Sequence, residues 1–252
     1  MSEQEKSASG APIYRYDDVQ PKEFTPATGD WDNISLIADH IEKHAGKVDC
    51  VFHEIVSDIV HIDVHWIKPS EEFPYHVLVT SGMSDLPMNV PGTMKGHEYA
   101  EVCALLPAEW KIEEAGPNKL MTDFFKDEAS YWPIRWLKKI ARFPHEYNTW
   151  MSNGHSLPNG EEAEPFADNT KLGCILLLPS LSLGTDFFKL DAGDGKTIRF
   201  YCLYPLYKEE MELKLNKGTD ALLDKFEKYK ISDVIDVSRR NTCVKKGLFG
   251  LW

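Results

Sequence analysis

The sequence lacks the features that mark membrane-spanning, secreted and nucleotide-binding proteins. No apolar run approaches the roughly 18 residues that a membrane-spanning helix needs. The polar amino terminus, MSEQEKSASG, has no apolar segment of the kind found in secretory signals. Neither G-x-x-x-x-G-K-[ST] nor G-x-G-x-x-G occurs, so no nucleotide site is indicated. We therefore expect a cytoplasmic protein without a cofactor and without a membrane anchor.

Cysteine is also scarce, with five residues in a chain of 252, and none of them forms a C-x-x-C pair. Most have apolar neighbours, as in GCILLL and FYCLY. This pattern predicts buried, reduced thiols in a reducing compartment. The five are Cys50, Cys103, Cys174, Cys202 and Cys243.

Positive charge is under-represented, since 28 basic residues face 40 acidic ones and the net charge is −12. An acidic protein repels phosphate backbones, so direct nucleic-acid binding is not expected. The same excess favours the encounter with a basic protein partner. Many acidic proteins carry such a charge for solubility alone, and that alternative stays open.

Hydrophobic periodicity in the first half of the chain predicts one helix and four strands. The helix covers Trp31–His44 and ends at Gly46, and a strand pair separated by Ser57-Asp58 follows. The four strands are predicted at Cys50–Val56, Ile59–Ile67, Tyr75–Thr80 and Tyr99–Leu106. Their order predicts an antiparallel meander.

The second half repeats the mixture of helix and strand. Tyr131–Phe143 reads as an amphipathic helix with Pro133 in its first turn. Strands are predicted at Leu172–Pro179, Thr185–Leu190 and Lys196–Leu206, and Lys208–Lys228 is helical in period with an interruption at Gly218. The whole pattern predicts an α+β fold (an α/β sandwich) in a single domain, with a central mixed, largely antiparallel sheet flanked by helices.

Composition divides the chain into three parts. Residues 1–30 are polar and carry three prolines, which predicts an extended, partly mobile lead-in. Residues 31–241 form the predicted domain. Residues 242–252 are basic and then apolar, and an apolar end must bury against the domain or against a partner.

His61, Asp63 and His65 alternate along a predicted strand, so all three would share one sheet face. His and Asp are competent metal ligands, but side chains about 7 Å apart along one strand do not converge on an ion. A polar face without metal is the favoured interpretation, and a metal-dependent hydrolase at these residues is the less favoured alternative.

No other group of residues indicates catalysis. Ser81, Ser84 and Asp85 lie in SGMSD, which is not a G-x-S-x-G nucleophile motif. Gly82 is expected to supply a turn, and Asp85 to bond the amides of its own loop. The two His-Glu pairs do not extend to H-E-x-x-H. We therefore assign no catalytic residue.

Five segments together resemble the Suppressor of fused family, most closely its bacterial members. They are VHIDVHWIKP (60–69), YHVLVTSGMSDLPM (75–88), AEVCALLPAEW (100–110), the block from Trp132 to Gly160, and PLYKEEMELKLNKG (205–218). The resemblance covers residues 31–241 and extends to the amino-terminal domain of the animal proteins only. It implies an α/β sandwich with a mixed sheet and no catalytic activity.

The resemblance also implies protein binding. Animal members restrain Gli-type transcription factors by gripping a short peptide, and bacterial members have been proposed to be immunity proteins against polymorphic toxins. Where the animal protein has Tyr after Ala-Arg this chain has Phe143, and where it has Asp after Ser-Gly this chain has His155. Histidine does not replace a carboxylate acceptor, which argues against Gli-like recognition.

These observations predict a non-enzymatic protein that neutralises or sequesters a protein partner, such as a basic toxin. The alternative is a regulator that sequesters a transcription factor through a short peptide. The candidate surface elements are two loops, Ser84–Gly96 and Trp150–Glu164, which are rich in turn residues. The candidate partner-binding residues are Asp85, Met88, Phe143, Trp150 and His155.

Overall fold

The computed structural model describes residues 5–16, 24–113 and 122–244. Five helices and eight strands lie within these ranges. The helices are α1 (Trp31–Ala45), α2 (Thr122–Lys126), α3 (Glu128–Glu146), α4 (Lys208–Lys217) and α5 (Thr219–Tyr229). The strands are β1 (Cys50–Phe52), β2 (Asp63–Ile67), β3 (Tyr75–Ser81), β4 (Tyr99–Pro107), β5 (Ser156–Pro158), β6 (Leu172–Leu178), β7 (Lys189–Asp191) and β8 (Thr197–Tyr207).

All eight strands belong to one mixed sheet, in the order β1-β2-β3-β4-β8-β6-β5, with β7 paired to β8 outside this path. The first four strands form the predicted meander. The pair β4–β8 is parallel and the remaining pairs are antiparallel. The predicted single-domain fold class, a mixed and largely antiparallel sheet flanked by helices, is therefore confirmed.

Alternation along the strands divides the buried side chains between two cores. On one face, Val102, Ala104 and Leu106 of β4 pack with α3. On the other face, Cys103 and Leu105 pack with residues of α1, α4 and α5. Because successive side chains of a strand point to opposite faces, a fully apolar strand such as β6 serves both cores at once.

Helix α3 is longer than its apolar pattern predicts. It begins at Glu128 and ends at Glu146, so Pro133 lies in the second turn and not in the first as expected. Trp132 and Trp136 are fully buried, with Phe166 packed against both rings. This burial offsets the backbone hydrogen bond that a proline in a helix removes.

The prediction of long strands at residues 50–56 and 59–67 was wrong in its bounds. Between β1 and β2 the chain is irregular, and Ile59 has a positive φ of 67°. Side-chain carboxylates here accept the hydrogen bonds that backbone carbonyls would accept in a β-sheet. Asp63 accepts from the Glu54 amide, and Glu54 accepts from the Ile62 amide. His61 thus lies outside the strand that contains Asp63 and His65.

The predicted strand Thr185–Leu190 is also mostly irregular, because strand β7 starts only at Lys189. The Phe188 amide donates to Thr185, which closes a turn over most of the predicted strand. The predicted interruption at Gly218 is real. Gly218 has φ 91° and separates α4 from α5.

Described parts of the two end segments lie against the domain. The Ser9 amide donates to the Leu215 carbonyl in α4, and Tyr16 contacts α3. In the other end segment, the Thr242 amide donates to the Glu210 carboxylate of α4 at 2.9 Å. Of the predicted tail 242–252, residues 245–252 lie outside the described residues, as do 1–4 and 17–23 of the lead-in. No helix within the described ranges has the length and apolarity to cross a membrane.

Candidate partner-binding surface

The two loops predicted to bind a partner meet in the structure. The Asn89 amide donates to the Thr149 carbonyl at 3.0 Å, and the Asn89 side chain donates to the Asn148 carbonyl at 3.2 Å. The Met151 amide contacts the Met88 sulfur at 3.4 Å. We call the surface formed by residues 84–98 and 148–155 the loop face. Two segments some 60 residues apart along the sequence thus form one surface.

A buried carboxylate holds the turn at the start of this surface. Glu101 is fully buried and accepts hydrogen bonds from four donors: the hydroxyls of Thr80 and Ser84 and the amides of Gly82 and Ser84. Gly82 has φ 106°, and a Cβ there would lie 1.8 Å from the His61 carbonyl oxygen. Only glycine fits this position, so the Ser-Gly turn has a structural role.

The sequence predicts that Asp85 accepts hydrogen bonds from the amides of its own loop, but in the structure its donors lie elsewhere. Its carboxylate accepts from the Asn33 side chain at 2.7 Å and from the Asp30 amide at 3.0 Å. Both donors lie at the start of α1, so Asp85 ties the loop face to that helix. Burial raises the pKa of Asp85, although these hydrogen bonds lower it.

Two of the candidate binding residues are largely covered. Met88 is 4% exposed and Phe143 is 7% exposed. The ring of Tyr16 packs edge-on against Phe143, with the ring centroids 5.1 Å apart, and its hydroxyl shares a hydrogen bond of 2.6 Å with Thr149. The segment that contains Tyr16 therefore covers Phe143, one of the candidate partner-binding residues.

Trp150 and His155 lie together, with ring centroids 4.4 Å apart in an edge-to-face arrangement. Burial lowers the pKa of His155 to about 4, and the nearby Lys214 ammonium lowers it too. The imidazole is therefore neutral at pH 7, and His155 offers a partner no positive charge. Both side chains are half-buried at the edge of the loop face.

The histidines and carboxylates considered for metal binding are arranged differently from the prediction. His61 and Asp63 meet with His53, and one ligand atom of each lies within 4.8 Å of the other two. His65 is not part of this group. Its Nε2 contacts Ser81 Oγ at 2.9 Å, and burial lowers its pKa to about 4.

An apolar patch lies beside this cluster. Ile55 is fully exposed, Val56 is 74% exposed and Phe125 is 43% exposed. Together with Phe52, His53, Glu54, Tyr131 and Lys138 they line a shallow, open cavity of about 340 Å³. Exposed apolar groups in contact with one another are a feature of interaction surfaces.

Sequence reasoning missed three residues of these sites. Glu101 lies in a strand whose other residues are mostly apolar, and the sequence does not indicate which groups donate hydrogen bonds to its carboxylate. Tyr16 lies in a polar segment, 133 positions from the threonine it bonds. His53 directly follows the short strand β1, and only its spacing of ten residues to Asp63 places both at the two ends of a hairpin-like connection. That spacing is the one local signal that the sequence contained.

The family model of the Suppressor of fused protein matches residues 58–240. The chain belongs to the Suppressor of fused family. The predicted resemblance is confirmed over most of the domain. No curated protein is significantly similar to the chain in sequence.

Solved structures of Suppressor of fused proteins share the fold. A homologue from Neisseria gonorrhoeae superposes with a TM-score of 0.60 at 18% identity, covering 86% of this chain and 100% of that one. A chain of a Sufu–Fu complex gives a TM-score of 0.56 at 14% identity, covering 83% and 92%.

Drosophila Suppressor of fused gives a TM-score of 0.54 at 14% identity, covering 84% of this chain. This chain spans about half of the Drosophila protein, 51% of its length. At these identities the likeness establishes the fold, and the Sufu–Fu complex shows that a protein of this family binds a protein partner.

Proposed function

We propose that this Suppressor of fused domain acts without catalysis, by binding and neutralising a protein partner, and that the partner is basic, such as a polymorphic toxin. The observation that carries the proposal is the loop face itself. Two loops and an amino-terminal segment converge there on a rigid support, where Glu101 and Asp85 fix the loop backbone. A preorganised surface favours binding, because residues that are already ordered in the free protein lose little conformational entropy on association.

Aromatic side chains supply the anchors that a protein interface needs. Tyr14 is 44% exposed and Tyr16 is 36% exposed. Trp150 is half-buried and directly follows Thr149, which shares a hydrogen bond with Tyr16. Tyr and Trp dominate the binding energy of many interfaces, because each places a large rigid ring in a partner's pocket. We assign Tyr14, Tyr16 and Trp150 to the centre of the interface.

Acidic residues follow in the same loop. Glu161 and Glu164 are exposed and lie within the predicted binding loop Trp150–Glu164. Charges at the rim of an interface speed the encounter with an oppositely charged partner more than they tighten the complex. This placement favours a basic partner over a neutral one and agrees with the net charge of −12.

The proposal is tested by isolating the partner and then removing one anchor. Affinity purification from the native cell with mass spectrometry identifies the partner, and calorimetry with both purified proteins measures stoichiometry and Kd. We expect a complex of fixed stoichiometry that suppresses the partner's activity. We expect Trp150→Ala to cost about 2 kcal/mol of binding free energy, or roughly a thirtyfold rise in Kd.

The matched control is Ile55→Ser, in the apolar patch outside the loop face. Ile55 is fully exposed, so its replacement leaves the fold intact. An unchanged Kd for this variant supports the loop face as the interface. A loss of binding with Ile55→Ser but not with Trp150→Ala would contradict it, and turnover of the partner as a substrate would contradict the proposed mechanism.

Sequestration of a transcription factor through a short peptide remains the second candidate. The coverage of Phe143 by Tyr16 weighs against it, because a peptide at that position must first displace the Tyr16 ring. Binding of synthetic peptides that improves with Tyr16→Ala and weakens with a polar residue at Phe143 would favour the regulator over the toxin-neutralising protein.

A further inference from the structure

His53, His61 and Asp63 form a cluster at the irregular connection between β1 and β2. Asp63 Oδ2 lies 2.8 Å from His53 Nδ1, and Asp63 Oδ1 lies 3.0 Å from His61 Nε2. The Asp63 side chain is 4% exposed, the His61 side chain 17% and the His53 side chain 63%. The cluster is thus closed on the Asp63 side and open to solvent on the His53 side.

The hydrogen-bond partners of His61 fix the position of its proton. Ser57 Oγ donates its single proton to Glu54, which also accepts from Arg142 and from the Ile62 amide and is therefore ionised. His61 Nδ1 lies 2.8 Å from the same Ser57 oxygen. Because that oxygen has no second proton to give, His61 Nδ1 must donate to it.

With Nδ1 donating to Ser57, Nε2 is the ring nitrogen that faces the Asp63 carboxylate, 3.0 Å from Oδ1. Histidines that bind metals usually donate a hydrogen bond from the other ring nitrogen, as His61 does here to Ser57.

We propose that His53, His61 and Asp63 bind a divalent transition metal ion of the zinc type. Two imidazoles and one carboxylate are a donor set that Zn²⁺ accepts, at about 2.0–2.2 Å from each ligand atom. Tetrahedral geometry at that distance separates ligand atoms by about 3.3 Å. In the structure one ligand atom of each residue lies within 4.8 Å of the other two, and the His53 ring, which is mostly exposed, has room to move closer.

The surrounding charges are compatible with a bound cation. Two cations of α3 face the cluster, but Arg142 is paired with Glu54 and Lys138 donates to the Phe52 carbonyl. Both cations thus have partners other than Asp63. Three protein ligands leave a fourth position, which opens on the solvent side beside the cavity lined by Ile55 and Val56.

The ion would fasten the irregular segment to the sheet. His53 and His61 belong to the connection, and Asp63 is the first residue of β2. We therefore assign the site a structural role that holds residues 53–62 in place, with an open position for water or for a donor group of another molecule.

The test is metal binding by the purified full-length chain, using Co²⁺ and Zn²⁺ salts. We expect one ion per chain after dialysis, by elemental analysis, and a Co²⁺ absorption band typical of tetrahedral geometry. His53→Gln should weaken binding at least roughly tenfold and Ser57→Ala should weaken it by a similar factor. Because the His53 side chain is mostly exposed, its variant should keep the wild-type circular dichroism spectrum.

A second pair of neighbouring histidines provides the control. His40 and His44 lie one turn apart in α1, with ring centroids 4.6 Å apart. Binding should be unchanged in His44→Gln. The proposal is overturned if the wild-type chain takes up neither ion, if His44→Gln abolishes uptake, or if His53→Gln and Asp63→Asn leave uptake unchanged. A doubly protonated His61 at pH 7, seen by nitrogen-15 NMR in the presence of excess Zn²⁺, would also overturn it.

Discussion

Glu101 has no contact with solvent, and its carboxyl group accepts the hydrogen bonds that hold the turn at the start of the loop face. Burial raises its pKa to about 7, although the hydrogen bonds from Thr80 and Ser84 lower it. In the unfolded chain this carboxyl group has its ordinary pKa of 4.5. Between these two pH values the native state binds more protons than the unfolded state. The contribution of Glu101 to stability therefore falls as the pH rises from 4.5 to about 7.

Replacing this carboxyl group by an amide should remove the pH dependence and keep the turn. In Glu101→Gln the amide oxygen can accept from Gly82 and Ser84, while the amide nitrogen donates to Thr80 Oγ1 and that hydroxyl turns to the Val102 carbonyl. We expect the stability of the wild type relative to the variant to fall by on the order of 3 kcal/mol across this pH range. Urea unfolding at several pH values measures the difference.

Comparison of the two proteins is essential, because other buried groups titrate in the opposite sense. Burial lowers the pKa of both His65 and His155 to about 4. These neutral imidazoles add stability that is lost as the pH falls from 6.5 towards 4. They affect the wild type and Glu101→Gln equally. Parallel stability profiles for the two proteins would show that Glu101 is ionised throughout.

At the scale of elements, a segment without regular structure is held to α4 by a buried ion pair. Glu210 is fully buried, and its carboxylate receives both terminal nitrogens of Arg239, at 2.8 and 2.5 Å, and two hydrogen bonds from Thr242. Burial alone raises the pKa of Glu210, but the Arg239 hydrogen bonds and charge bring it below its usual value. The pair fixes the backbone of residues 231–242 on the domain.

Removing one partner of this pair should be strongly destabilising. Arg239→Met leaves the Glu210 charge buried without its cation, and we expect a loss of about 3–5 kcal/mol in the free energy of unfolding. Arg240→Met is the matched control, since Arg240 lies over the Tyr229 ring at the surface and should cost less than about 1 kcal/mol. Denaturant unfolding of both variants measures the loss in the free energy of unfolding. Equal losses would mean that Arg239 stabilises the fold through its ring contacts alone.

Local patterns predict an element well where one kind of periodicity runs along the whole element. Helix α1 has its apolar face at helical spacing with Asp30 and Gly46 at its ends, and β3 and β4 lie where alternation and apolar runs place them. The connection between β1 and β2 has the alternation of a strand but not its structure. There the side chains of Glu54 and Asp63 take the backbone amides that a ladder would use.

At the scale of the molecule, the sequence predicts the fold class and the family, but not which residues meet. The loop face depends on contacts between Asn89 and Thr149, and the coverage of Phe143 depends on Tyr16. Neither contact has a periodic signature, because each joins irregular segments that are far apart in the chain. The same holds for His53 and His61, which local alternation placed on separate strands. The topology of the sheet determines which of these distant residues come into contact.

The acidic surface leads to a prediction for the whole molecule, which rests on the proposed basic partner. A net charge of −12 should attract such a partner over long distances, and salt screens this attraction over about 10 Å at 0.1 M. We expect the association rate constant to fall by roughly tenfold or more between low and high salt, with the dissociation rate nearly constant. Stopped-flow or surface-binding kinetics at several salt concentrations measure both rates.

The position of the charges can be tested in the same way. The double variant Glu161→Lys with Glu164→Lys reverses two exposed charges in the predicted binding loop Trp150–Glu164 and should flatten the salt dependence. Glu71→Lys reverses an exposed charge near the start of β3, at the opposite end of that strand from the loop face, and should change the rate less. Steering depends on where charge lies relative to the docking surface. Equal effects of the two changes on the association rate constant would therefore mean that the interface lies elsewhere. An association rate constant that does not change with salt concentration would mean that the partner is not basic.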